Sequence, residues 1–223
     1  MRTMRGFSLV EVAVVLVIMG LVLGGLLLTM GTYQQYQRSQ QTQRQLSETR
    51  DALIGFAATQ GRLPCPADPA GNGQERTPTA AGCTTGLEGE LPWATLGLPR
   101  VNAWGNALHY AASADFVRNA GGTYAGCPPG QPTTPPANAR FALCSPGTYT
   151  INDLAGQTVG QQLPAVMWSE GPNGNSAGTG ENENRDGDNN FVASTPTEDF
   201  DDIVEWVPPT VLMNRLLQAG RLP

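Results

Sequence analysis

A chain of 223 residues with its first thirty set apart has room for one further globular domain, and it carries 13 positive against 19 negative charges, a formal net charge of −6. Every positive charge is an arginine and no basic cluster forms, so an acidic outer domain that repels phosphate backbones argues against nucleic acid as the main partner. One histidine, His109, and no CxxC spacing among four cysteines exclude the usual Cys/His zinc site, and with no second histidine a serine–histidine hydrolase would have to be built on His109 alone, which argues against one.

Taken in chain order, Arg2 and Arg5 precede an apolar run in which no charged residue stands between Val12 and Met30. About 20 apolar residues at 1.5 Å each cross a hydrocarbon core of roughly 30 Å, so a spanning helix is expected over residues 7–30. The positive-inside rule puts the N-terminus in the cytoplasm and the remainder outside. The run is too long for the core of a secretory signal peptide. It also carries Glu11 near its start, and a charge at the centre of a spanning helix costs about 2.5–3.5 kcal/mol. Something must compensate that carboxylate.

The stretch Gly6-Phe7-Ser8-Leu9-Val10-Glu11 resembles the class III leader junction of type IV pilins and type II secretion pseudopilins. The resemblance implies cleavage by a prepilin peptidase between Gly6 and Phe7, N-methylation of Phe7, and a role for Glu11 in neutralising the N-terminal amine of a neighbouring subunit during filament assembly. A buried carboxylate paired with an ammonium is far cheaper than either alone. Loss of Arg2 and Arg5 with the leader leaves 11 positive against 19 negative charges, or −8. Many members of the family carry a proline late in the apolar run; here there is none, which shifts the weight from a major pilin to a minor pilin or pseudopilin. Gly20, Gly24 and Gly25 read as close-packing positions.

Residues 31–60 turn polar but keep a helical period: Tyr33, Tyr36, Leu46, Thr49, Leu53, Ile54, Phe56 and Ala57 recur at steps of three and four. Gly61, with Pro64 after it, marks the stop. Residues 7–60 thus form one helix of roughly 80 Å, apolar all round in its first half and amphipathic in its second. A sheet in the head, residues 62–223, must cover its apolar stripe. Strand-like runs lie at 107–110, 141–143, 149–151 and 165–168. Trp93 and Trp104 read as core anchors, and His109 as a surface or hairpin residue. The Trp104-Gly105-Asn106 element resembles the connection that precedes the first strand in pseudopilins.

Cys65, Cys83, Cys127 and Cys144 lie in Pro/Gly-rich surroundings outside the apolar run, which points to disulfides in an oxidising compartment. Three pairings are open. Neighbour pairing, Cys65–Cys83 with Cys127–Cys144, is preferred because it closes two loops of similar length, each worth about 3 kcal/mol in the chain-entropy estimate.

Residues 169–202 form an acidic, asparagine-rich stretch without apolar periodicity, which reads as a long loop. Asn182-x-Asn184-x-Asp186-Gly187 reproduces the first half of a calcium loop, in which alternating oxygen side chains face one centre. Ala193 stands where the bidentate glutamate belongs, so Asp199, Asp201 or Asp202 would have to close the shell. Major pseudopilins end such a loop in Asp-Ile-x-x-Trp and bind calcium; Asp202-Ile203-Val204-Glu205-Trp206 is similar, and the resemblance implies calcium held by Asn182, Asn184, Asp186, Asp188, Asp199 and Asp202. A solvated acidic loop without metal is the alternative.

Pro208 and Gly220 bracket a short helix at 209–219, with Val211, Leu212, Leu216 and Ala219 sharing a face. Gly61-Arg62-Leu63-Pro64 recurs as Gly220-Arg221-Leu222-Pro223. The expected protein is an α+β pilin-like subunit, with a long N-terminal helix packed on a small antiparallel sheet. It would reside in the bacterial inner membrane with the head in the periplasm, and its partners would be other subunits, the peptidase and the inner-membrane assembly platform. A single-pass anchored periplasmic binding or hydrolytic domain is the rival reading; it would keep its leader.

Overall fold

The computed structural model describes residues 6, 8–68, 70–120, 140–174, 178–197 and 199–222, with the side chains of residues 23–30 and 179 outside the description. The chain divides into two compact units, Met1–Gln40 and Gln41–Pro223. One helix, α1 (Leu9–Gln60), supplies the first unit and the opening element of the second.

In the first unit the side chains from Ser8 to Val22 are all exposed, among them Leu9 at 87% and Val15 at 47%. A helix that is apolar on every side calls for lipid or other helices around it. Among the described residues no helix is long and apolar enough to cross a membrane. The span expected at 7–30 includes Phe7 and the side chains of residues 23–30, which lie outside the described residues. Tyr33 and Tyr36, expected within the amphipathic stripe, are instead 65% and 60% exposed. The buried stripe begins later, at Thr42, within the second unit.

There Thr42, Leu46, Thr49, Leu53 and Ala57 are buried at steps of three and four, one face of a helix. The sheet against this face has strand order β3 (Glu88–Glu90), β4 (Leu108–Ala112), β7 (Ala165–Ser169), β9 (Ile203–Val207), all antiparallel. Side chains alternate along a strand, so this sheet makes two cores. Leu108, Tyr110, Ala112, Ala165, Met167 and Val207 join the α1 stripe. Ala111, Val166 and Trp168 turn the other way, onto Tyr149, Ile151, Leu163 and Phe191. Those residues come from a second sheet, β6 (Thr158–Leu163), β5 (Tyr149–Asn152), β8 (Asn190–Val192), in which β5 and β8 run parallel. The head is therefore helix on sheet on sheet, and its strands are not all antiparallel.

Short elements complete it: the two-residue pair β1 (Pro78–Thr79) and β2 (Gly82–Cys83), and the helices α2 (Trp93–Leu96), α3 (Ala114–Val117), α4 (Thr179–Glu183) and α5 (Pro209–Gln218). Residues 141–143 are not a strand; Phe141 is buried there because its ring packs on Phe116 at 4.6 Å. Trp93 and Trp104 are half-buried, and Trp168 is the tryptophan that anchors the core. Leu212 and Leu216 carry α5 into the core, whereas Val211 is 49% exposed and Ala219 is also exposed, so the buried face of that helix is narrower than expected.

Cys65 and Cys83 form a disulfide with Cα atoms 5.8 Å apart. Cys144 is also disulfide-bonded, and its expected partner Cys127 lies outside the described residues. Arg62 grips Glu75 with two nitrogens at 2.8 and 2.7 Å beside this loop, and Arg50 of α1 reaches Glu205 of β9 at 3.0 Å. The repeated Gly-Arg-Leu-Pro is a helix stop used twice. Gly61 follows α1 with φ +69° and Gly220 follows α5 with φ +65°, the left-handed geometry that ends helices, and Leu63 and Leu222 fold back into the core.

Candidate functional sites: the leader and a buried carboxylate cluster

Two features carry chemistry. At the first, Ser8 opens α1: its carbonyl accepts the backbone N–H of Glu11 at 3.0 Å and of Val12 at 3.2 Å. Glu11 thus stands in the first helical turn with its side chain exposed. A carboxylate there stands at the positive end of the helix dipole. Gly6, next to the expected cut, is exposed; Phe7 lies outside the described residues.

The second feature is where the acidic stretch acquires structure. Residues 169–202 were expected as one loop, yet they form α4 and β8 because Glu181 and Asn184 supply the contacts that periodicity did not. Glu181, fully buried, accepts from Asn173 Nδ2 at 3.0 Å, the Asp201 backbone N–H at 3.1 Å and the Gly178 N–H at 3.4 Å. Asn184, also buried, accepts from Val192 N–H through Oδ1 at 2.7 Å, and its Nδ2 donates to Val192 O at 3.1 Å and to Asp202 Oδ2 at 2.9 Å. Asparagine bonded on both sides to one strand residue pins β8 to α4.

Glu181, Asp201 and Asp202 offer carboxylate oxygens that all lie within 4.8 Å of one another. Burial raises Asp202 to about 7, opposed by the Asn184 hydrogen bond and reinforced by the charge of Glu181. Asp201 is raised to about 6, by burial first, with the Asn173 N–H holding it down and Glu181 pushing it up. Asp201 Oδ1 is buried and makes no hydrogen bond among the described residues. Gly171 closes over it so tightly that an added Cβ would stand 2.2 Å from that oxygen. Three carboxylates with one oxygen each at this spacing suit a hard cation.

The expected calcium ligands fall differently. Asp202 is in this cluster. Asn184 is committed to Val192 and Asp202, and Asn182 and Asp199 are exposed. Asp186 and Asp188 gather separately with Glu183 on the surface, where burial and their two charges raise Glu88. Glu181 escaped the sequence reading, which followed the Asn-x-Asn-x-Asp spacing; its signal was a glutamate three residues past Gly178 at a helix start.

The turn that resembled a pseudopilin element serves the same region. Asn102, 5% exposed, accepts the N–H groups of Trp104 and Asn106 at 2.8 and 2.9 Å, and donates to Ser169 Oγ at 2.8 Å and Glu170 O at 2.9 Å. Asn106 donates to Gly171 O at 2.9 Å. The turn before β4 therefore fixes the end of β7 that leads into the carboxylates. His109 is half-buried in β4, stacked on Trp168 with centroids 5.1 Å apart and Nε2 3.8 Å from Glu170. Burial lowers its basicity.

Residues 1–27 match the family model for the prokaryotic N-terminal methylation motif. The motif is the class III leader of type IV pilins and pseudopilins, and the chain carries it. No curated protein and no solved structure matches the chain. Such a leader implies processing by prepilin peptidase, assembly with other pilin-type subunits and a membrane-anchored place in the cell envelope. The family that bears it is structural rather than catalytic.

Proposed function

We propose that this chain is a structural subunit, a minor pilin or pseudopilin, of a type IV pilus or type II secretion pseudopilus. Prepilin peptidase cuts between Gly6 and Phe7, Phe7 is N-methylated, and the inner-membrane platform assembles the product with the head in the periplasm. The observation that carries the reading is the leader over residues 1–27, with Glu11 in the first turn of the helix that follows. Residues 7–30 pass from the bilayer to the filament core, and Glu11 pairs there with a neighbour's N-terminal amine. The exposed apolar surface of Leu9–Val22 supports this, since it demands a cover that the monomer does not supply.

Intact mass of the protein made with and without prepilin peptidase tests the reading. The expected product has lost residues 1–6 and gained one methyl group; an unchanged mass leaves an anchored periplasmic domain in its place. Glu11→Ala should insert and be cut but fail to join filaments, and normal incorporation would refute the role of Glu11.

Calcium belongs to the same reading. Glu181, Asp201 and Asp202 would hold the ion, which would neutralise three crowded carboxylates and tie α4 to the segment before β9. The buried, unpaired Oδ1 of Asp201 supports it. Pairing of Cys127 with Cys144 is part of the proposal too, supported by the disulfide-bonded state of Cys144.

A further inference from the structure

The head carries a groove of about 610 Å³ between α1 and α5, lined by Asp51, Ile54 and Gly55 on one side and Val211, Asn214 and Arg215 on the other. Its lining mixes the apolar Ile54 and Val211 with the polar Asp51, Asn214 and Arg215. Gly55 lies inside a helix, where alanine would be the more stable choice. Yet a Cβ added at Gly55 would meet nothing within 4 Å, so no contact in the head requires a glycine there. The missing side chain opens the groove to something from outside the head. Val211, on the opposite wall, is 49% exposed for a β-branched apolar residue.

We infer that the groove receives the Tyr33–Tyr36 face of α1 from a second copy of this chain. The inference rests on the pilin-type reading above, which supplies a neighbouring subunit; the second copy is this inference's own addition. Three observations choose the occupant. Tyr33 and Tyr36, 65% and 60% exposed, are the large exposed aromatics among the described residues, and three residues apart they share one helix face. A tyrosine has an apolar ring and a polar tip, which suits a lining that sets Ile54 and Val211 beside Asp51, Asn214 and Arg215. Charge also agrees: residues 31–47 hold Arg38 and Arg44 and no acid, or +2, against 18 acids and 9 arginines in residues 48–223, or −9. The contact is heterologous, one face against a different one, so it propagates along an assembly and does not close into a dimer.

The test places p-benzoylphenylalanine at position 36 (Tyr36→p-benzoylphenylalanine) in the full chain, co-expressed with an epitope-tagged copy, prepilin peptidase and the assembly machinery, followed by irradiation of the filaments. Mass spectrometry should map the link to residues 210–218 or 51–55 of the tagged copy. Gly55→Leu on that copy should lower the yield at least about tenfold while its melting temperature stays at or above that of the parent. Links to other residues, or none in filaments that contain both copies, overturn the inference. Intact mass is read in parallel: an uncut leader, or a cut chain that never enters filaments, overturns the function reading and this contact together, whereas assembly without the link removes the contact alone.

Discussion

Asn184 donates its side-chain amide to Asp202 at 2.9 Å, and this is the hydrogen bond that links the first half of the acidic stretch to its last residue. Asp202 is 2% exposed, near Glu181, Asp201 and Arg185, and its carboxyl is raised to about 7. In the unfolded chain an aspartate titrates near 3.9. Between those values the folded state holds the proton that the unfolded state has lost, so stability falls as pH rises. Without divalent cations the full chain should therefore melt at progressively lower temperature from about pH 4 to about pH 7, a loss on the order of a few kcal/mol. Asp202→Asn should flatten that decline, and an unaltered slope in calorimetric scans would put the titration elsewhere.

A bound cation reverses the preference, because it favours the ionised carboxylates of Glu181, Asp201 and Asp202. Calcium at 100 times its dissociation constant adds about 2.7 kcal/mol to the folded state. The melting temperature at pH 7.5 should rise with calcium and fall on EDTA treatment, and the rise should vanish in Glu181→Gln. A melting curve indifferent to EDTA removes calcium from the head.

Asn102 uses two donated and two accepted hydrogen bonds to join the turn before β4 to Ser169 and Glu170. Asn102→Ala removes the acceptor of the half-buried Trp104 and Asn106 N–H groups, each at about 1–3 kcal/mol. Destabilisation of about 2–3 kcal/mol in urea titrations is expected, with Asn102→Asp equally harmful because a carboxylate cannot donate. A loss below roughly 0.5 kcal/mol, the ordinary surface effect, would show the turn to be decorative.

Gly55→Ala should stabilise the head by up to about 1 kcal/mol, the difference in helix propensity, since the new methyl meets nothing within 4 Å. Destabilisation in thermal melts would mean that the position is crowded in the free protein.

The helical half of this fold was readable and much of the sheet was not, for identifiable reasons. Thr49, Leu53 and Ala57 repeat at the helical period, and Gly61 stops the helix, so α1 was legible nearly to the residue. β4, β5 and β7 were found because Leu108, Ile151 and Met167 sit in short apolar runs. β3 reads Glu88-Gly89-Glu90, a composition that disfavours strands and becomes one only through its pairing with β4. β6, Thr158–Leu163, is mostly polar because as an edge strand it is largely exposed. For the carboxylates, Asp202 was legible beside the Asp-Ile-x-x-Trp element, but Glu181 was not. Its importance comes from burial against Asn173 and Asp201, residues 8 and 20 positions away. The leader needed no tertiary knowledge at all, since peptidase recognition acts on a local stretch and Glu11 lies within it.

The last residues of the chain close the end of its first helix. Arg221 donates from Nε to the carbonyl of Ala58 at 2.9 Å and from Nη2 to the carbonyl of Thr59, across a separation of 163 and 162 residues. Leu222 enters the same core as Leu53. A chain still emerging from its ribosome or translocon lacks that lock. The carbonyls of Ala58 and Thr59 wait for Arg221, and the head gains this contact only after residues 209–222 have been made. Such late, long-range closure makes for slow folding. A head that lacks residues 221 and 222 would present an unfinished end of α1, distinguishable from the closed one.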